Sequence, residues 1–161
     1  MALVAIRPGP KDGLCATPSG NSTESATQTF KLGAVLINNA GRLEEAAAAG
    51  TAINVVGVSE EAGANNAAAG ADIRFTPALP HLSFEASIDD GDAEGTGVIA
   101  QADLYAEHGL RRNAATGKWF VNKTDTVNKR VVVTKLVDAV DTLQGKVQFK
   151  FLPEGTVYSS P

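Results

Sequence analysis

Short apolar runs that end in turn residues constrain this chain more than any other feature. Residues 34–37 (Ala-Val-Leu-Ile) form one such run, and it stops at the turn sequence Asn-Asn-Ala-Gly of residues 38–41. A second run, at residues 53–58, contains Gly57. Compact apolar runs bounded by Asn and Gly are typical of buried strands, so residues 30–61 predict two short strands around a turn. Neither run contains a candidate catalytic residue, and the segment therefore predicts a structural scaffold.

The same pattern of short apolar runs separated by turn residues continues to the end of the chain. It predicts an all-β protein with about eight short strands. The further predicted strands are residues 73–75, 82–88, 98–105, 119–121, 131–137 and 146–152. The strongest is 131–137, because consecutive valines favour a pleated surface. In residues 146–152, Lys and Gln alternate with Val and Phe, so the aromatic rings are expected in the core and the lysines in solvent.

Two alanine-rich stretches are not expected to form helices. Residues 46–49 favour a helix locally, but Gly50 ends the stretch well before the roughly 12 residues that an isolated helix needs. In residues 61–71, Gly and Asn dilute the alanines too heavily for a secure helix, which predicts a loop.

The expected organisation is one β domain with appendages, since 161 residues can bury one core of useful size. Residues 1–29 are rich in Gly, Pro, Ser and Thr and predict a flexible N-terminal arm. Near its start the arm carries an apolar cluster, in which Leu3, Val4 and Ile6 are candidates for docking onto a neighbour or, equally, for an edge strand of their own domain. Residues 30–152 are expected to form the β domain. Its expected fold is a small β-barrel, such as a β-tulip, or a β-sandwich. Residues 153–161 predict an extended tail.

Several classes of protein are disfavoured by the sequence. No stretch approaches the roughly 18 apolar residues of a membrane span, and the first residues lack the basic leader and apolar run of a secretory signal. The single cysteine, Cys15, cannot form an intrachain disulfide and has no neighbouring His or second Cys. His81 and His108 have no second His or Cys at helical metal-site spacing, so both are expected to be structural or surface residues. We expect no metal or cofactor.

The acidic segment 89–97 is the most tempting candidate for a site, because Asp residues alternate there with Gly. An EF-hand-like calcium loop needs a closing Glu about eleven residues after its first Asp, and position 100 is Ala100. An acidic surface turn is the expected structure. Asp89 and Asp90 are adjacent on a strand and should point to opposite faces, which is unsuitable for paired acid and base catalysis. No phosphate-binding loop, nucleophile elbow or HExxH motif is present, so an enzyme is not expected.

Charge is divided unevenly along the chain. Residues 62–108 carry eight acidic and one basic residue, a net charge of −7, whereas residues 109–161 carry nine basic and four acidic residues, a net charge of +5. The two parts are either differently charged faces of one globule or surfaces for contact between copies of the chain. Nucleic-acid binding is not expected, because the aromatic residues of the basic part are predicted to face the core.

Seven segments, taken in order, resemble those of tailed-phage head decoration proteins, also called capsid cement proteins. The resemblance begins at residues 29–36, where an aromatic residue, Lys and Gly precede the first strand, and continues through the turn and the Ala-rich stretch to residues 55–61. It then includes residues 105–110, 119–124 and 145–151 and spans roughly residues 28–152. The order of the segments carries the resemblance more than any single one.

The resemblance implies a structural virion protein, made in the host cytoplasm, that decorates the outer surface of an icosahedral capsid. It implies a homotrimer that bridges subunits of the major capsid protein. The apolar cluster on the flexible arm suits this role, so capsid or subunit contacts are expected at Leu3, Val4 and Ile6. The competing interpretation is a glycan-binding or host-attachment β module. Sugar sites usually need exposed aromatic rings, and Trp119, in a strand-like run beside Phe120, is expected in the core.

Overall fold

The computed structural model describes residues 7–8, 20–48, 54–91 and 95–158. Within these ranges it contains eleven strands and two short 3₁₀ turns, and the expected all-β fold is confirmed. The strands are β1 (Arg7–Pro8), β2 (Gly20–Thr23), β3 (Val35–Asn39), β4 (Arg42–Glu45), β5 (Val55–Ser59), β6 (Asp72–Pro77), β7 (Phe84–Asp89), β8 (Glu107–Arg112), β9 (Trp119–Asn122), β10 (Val131–Leu136) and β11 (Lys146–Phe151). The 3₁₀ turns are Gln101–Asp103 and Pro153–Gly155.

Five strands of the C-terminal part close into a small barrel in the order β7, β11, β10, β8, β9. Four of the five pairings are antiparallel, and the ring closes through a parallel pairing of β7 with β9, where Ile88 lies opposite Val121. In a closed barrel every strand has a neighbour on both sides. A free strand edge therefore remains only where a pairing does not extend along the whole strand. The strand β1 lies outside the ring and pairs with the first half of β7.

The N-terminal part forms a second, antiparallel sheet in the order β2, β6, β5, β3, β4. The predicted strands around the first turn are present as β3 and β5, which pair with each other. The sheet curls, because Glu24 bridges to Leu43 and the Ser25 N–H donates to the Leu43 carbonyl at 2.9 Å. Its two outer strands, β2 and β4, are thereby brought together.

The barrel interior is filled by aromatic and branched side chains. Phe84, Phe149 and Phe151 form a cluster with ring centroids 5.1 to 5.9 Å apart, in stacked and edge-to-face contacts. The alternation predicted for residues 146–152 is confirmed: Val147 and both phenylalanines of β11 are buried, while Lys146 and the other polar residues are half-buried. The order of polar and apolar residues thus fixes which face of β11 points inward.

The sheet and the barrel share one core and are joined by a buried polar link. Glu45 at the end of β4 accepts a hydrogen bond from the Trp119 indole N–H at 3.1 Å and forms an ion pair with Arg112. The Arg112 N–H also donates to the Ala48 carbonyl at 3.2 Å. Trp119 is 2% exposed, so the prediction that it lies in the core is confirmed.

Three segments differ from the prediction. The predicted strand at residues 98–105 is wrong: Val98 makes one isolated bridge to Leu143, and the chain then enters the 3₁₀ turn. A carboxylate oxygen of Asp103 accepts the Ala100 N–H at 2.7 Å, a local bond that competes with strand pairing. The strands β4 and β8 were not predicted.

Paired structure also extends beyond the limits predicted for the β domain. Two strands lie inside the predicted arm of residues 1–29: β1 pairs with β7, and β2 pairs with β6 along its whole length. At the other end, Thr156 lies in the predicted tail but bridges to Val55 and is buried.

Candidate functional site

One end of the barrel gathers several turn segments into a continuous surface, which we call the barrel end. It consists of residues 89–91, 95–106 and 137–145. Backbone hydrogen bonds tie these segments together: the Ile99 N–H donates to Thr142 at 3.1 Å, and the Gln144 N–H donates to Gly97 at 2.7 Å. Bonds of this kind hold side chains on turns in fixed positions.

Apolar side chains project from the barrel end into solvent. Tyr105 is 74% exposed and Leu143 is 56% exposed, and Val137 and Val140 are exposed as well. The backbone of Tyr105 has a φ of 64°, a left-handed conformation that costs a bulky residue on the order of 1–3 kcal/mol. Grouped apolar side chains on a fixed surface are typical of interaction sites. The barrel end is therefore a candidate contact surface.

Asp89 anchors one turn of the barrel end and is not on an acidic surface, which corrects the prediction for this residue. Its side chain is 1% exposed. The carboxylate accepts backbone N–H groups from Gly95 at 2.6 Å, Thr96 at 3.0 Å, Gly97 at 2.6 Å and Asp90 at 2.8 Å. Burial raises the pKa of Asp89, but these four hydrogen bonds outweigh it, so the pKa lies below its ordinary value. The described residues contain no group of three or more His, Cys, Asp or Glu that could hold a metal ion.

His108 and Asp103 form a buried pair beside the barrel end. The Nε2 atom of His108 lies 3.8 Å from a carboxylate oxygen of Asp103 and has no hydrogen-bond partner among the described residues. Burial lowers the pKa of His108; the charge of Asp103 opposes this shift and the charge of Lys123 adds to it. The imidazole is thus neutral at pH 7, and His108 is a structural residue. His81 is on the surface.

The buried imidazole predicts a loss of stability in mild acid. Below the ordinary histidine pKa of about 6.5 the unfolded chain binds a proton that the folded chain does not, so the free energy of unfolding falls as the pH decreases. His108→Gln should remove this part of the decline, as measured by urea unfolding at about pH 7.5 and pH 5.5. His81→Gln is the matched control and should keep the decline. Equal pH dependence of the two variants would contradict the prediction.

The sequence-predicted contact residues Leu3, Val4 and Ile6 lie outside the described residues, so that assignment stays a prediction. Sequence reasoning missed the barrel end. Tyr105 was placed in a strand, whereas its backbone is left-handed and its side chain is exposed. A usable signal is Val140 and Leu143, which follow the strongest predicted strand, 131–137, in a stretch interrupted by acidic residues.

The charge split of the sequence is partly neutralised within the chain. Three ion pairs join its acidic and basic parts: Lys123 to Asp90 at 3.5 Å, Lys129 to Glu107 at 3.7 Å, and Lys146 to Glu85 at 4.0 Å. Neighbouring barrel strands come from both parts, so their pairing brings opposite charges close together. The charge split alone therefore does not indicate contact between copies.

Comparison of the chain with protein-family models, curated proteins and solved structures finds no match. In the part of the chain that the structure describes, no helix has the length and apolar character needed to cross a membrane.

Proposed function

We propose that the protein is a structural virion protein that decorates and stabilises an icosahedral phage capsid, binding the outer surface of the major capsid protein lattice as a homotrimer. The observation that carries the proposal is the barrel end, where apolar side chains stand on turns fixed by hydrogen bonds. The resemblance of the sequence to capsid cement proteins gives this contact surface its partner.

A small rigid β protein can stabilise a capsid without any chemistry. It binds the assembled lattice and not the separated subunits, so mass action favours the assembled state. Many symmetric sites multiply a modest affinity through avidity. The buried link of Glu45, Arg112 and Trp119 supports this role, because it joins the sheet to the barrel so that both act as one block.

Binding to expanded, undecorated heads tests the proposal. The full chain should bind such heads saturably and raise the temperature at which they disassemble. In solution its mass should be three times the 16.6 kDa of one chain. Failure to bind undecorated heads of the phage that encodes the chain would contradict the proposal.

A charge placed on the barrel end should abolish head binding without unfolding the protein. Leu143→Asp is expected to weaken binding at least tenfold, because docking would bury an unpaired carboxylate in an apolar contact. The measurement is the amount of protein that sediments with undecorated heads. Val127→Asp is the matched control, since Val127 is 85% exposed on a different loop. If both variants bind like the unchanged chain, the barrel end is not the capsid contact.

The alternative function, a glycan-binding or host-attachment module, needs aromatic side chains that can contact a sugar ring, and few residues of this chain are candidates. Trp119 is buried with its indole N–H bonded to Glu45, so it offers no platform for a sugar ring. Among the described residues the exposed aromatic side chain is Tyr105. Glycan binding that is lost in Tyr105→Ala, in a protein that does not bind heads, would favour the alternative.

A further inference from the structure

The first half of β7 has a strand partner from the N-terminal arm. On one edge, β7 pairs with β11 over four residues. On the other edge, β9 pairs with β7 only at Ile88 and Asp89, and β1 pairs antiparallel with β7 at Phe84 and Glu85. The strand β1 therefore fills a part of the β7 edge that no other described strand covers.

An open strand edge binds extended peptides, because its backbone N–H and C=O groups need partners. The strand β1 suits this position. Pro8 has no N–H to donate, and proline in sheets is confined mostly to edge strands, so β1 ends the sheet. Directly before Arg7 the sequence has Leu3, Val4, Ala5 and Ile6, a composition that favours strand pairing.

The connection from β1 to β2 is long enough to reach a neighbouring copy. Eleven residues, 9–19, separate Pro8 from Gly20. Fully extended, a connection of this length spans about 40 Å, more than the diameter of a small domain. Identical copies present identical β7 edges, so an arm can pair with its own barrel or, with the same contacts, with the barrel of another copy.

We propose that in the assembled homotrimer β1 of each copy pairs with β7 of the neighbouring copy, so that every barrel edge is completed by a second chain. The inference rests on the proposed function, which supplies the trimer. A strand of two residues gains little within one chain against the entropy of ordering its connection. Between chains the same pairing links the three copies head to tail in a closed ring. Each copy binds the arm of one neighbour and gives its own arm to the other, so the three pairings stabilise one another.

Crosslinking between two differently substituted chains tests the exchange. In a Cys15→Ser background, one chain carries Arg7→Cys and a second, mass-tagged chain carries Glu85→Cys, because Arg7 lies opposite Glu85 in the register. The chains are unfolded, mixed, refolded and treated with a short bismaleimide. The expected product contains one chain of each kind. Ser87→Cys serves as a second acceptor, since its side chain leaves the same face of β7 and is half-buried.

Controls separate the exchange from the function on which it rests. Val127→Cys, at an exposed position outside the strand pair of β1 and β7, should give no product with the Arg7→Cys chain. The proposal is overturned if the mixed product is absent while a chain with both substitutions crosslinks internally, or if no crosslink forms at either acceptor. A trimer by mass without interchain product rejects the exchange but leaves capsid decoration standing. Interchain product in a protein that does not bind heads upholds the exchange and rejects decoration.

Discussion

Asp89→Ala is expected to lower the free energy of unfolding by about 3 kcal/mol or more. The substitution leaves the N–H groups of Gly95, Thr96 and Gly97 without their acceptor. The Gly97 donor is buried, and those of Gly95 and Thr96 are partly buried. A buried donor left unpaired costs roughly 1–3 kcal/mol, and water that enters the turn recovers a part of that cost. Urea unfolding, with the slope compared between variants, measures the change.

Asp90→Ala is the matched control for this prediction. Asp90 is the next residue in the chain, but its side chain is exposed and paired with Lys123 at 3.5 Å. Surface ion pairs contribute about 0–1 kcal/mol, so this variant should be nearly as stable as the unchanged chain. Equal stability of the two alanine variants would show that the Asp89 carboxylate does not hold the turn.

The acid dependence of stability follows from the same bonds. The pKa of Asp89 is lower in the folded chain than in the unfolded chain, so its contribution is fully present above the unfolded value of about 4. The contribution is lost as the pH falls from there through the folded pKa, because the unfolded chain then binds a proton first. Asp89→Ala should therefore flatten the stability curve below about pH 4.

The strands that were predicted are those whose apolar residues alternate or run together over the full pairing. In β11 the alternation around Phe149 indicates which face of the strand is buried. In β10 the consecutive valines indicate a buried strand, and two of the three are buried. Four strands were missed, and the two of them that lie within the predicted β domain, β4 and β8, read as polar. The strand β8 (Glu107–Arg112) contains one large apolar residue, Leu110, and β4 (Arg42–Glu45) contains only Leu43. Their pairing partners, rather than their own composition, make them strands.

The candidate site was less predictable, because its deciding partners are backbone groups. Nothing in the sequence distinguishes Asp89 from Asp90. Only the return of the chain at Gly95, Thr96 and Gly97 adds three N–H donors to that of Asp90 around the first of these carboxylates. Tyr105 is exposed and has a left-handed backbone, in a segment whose composition predicts a strand.

Strand β7 connects the two surfaces that we propose to act in assembly. Its first residue, Phe84, pairs with β1 of the arm, and its last residue, Asp89, anchors the turn at the barrel end. Five residue steps of a strand are about 17 Å, so the two surfaces are near but separate. Because Phe84 also belongs to the aromatic cluster, an arm that docks there is joined to the packed core of the barrel.

Gly57→Ala is expected to destabilise the second sheet by about 3 kcal/mol or more, the upper range for a residue forced into a packed site. A Cβ added at residue 57 would lie well inside 3.0 Å of the Thr76 carbonyl oxygen and within 2.9 Å of the Phe75 ring. The carbonyl belongs to the paired strand β6 and cannot rotate away as a flexible side chain could, so β5 and β6 must separate.

Gly155→Ala is the control for Gly57→Ala, because the nearest atom to its added Cβ is the Arg130 Cδ at 3.1 Å, on a side chain that can move. The urea midpoint of Gly57→Ala should fall well below that of Gly155→Ala at an unchanged slope. Equal midpoints would show that β5 and β6 separate at little cost. In that case the Val-Gly-Val run that first indicated a scaffold would not need glycine for close packing of its strands.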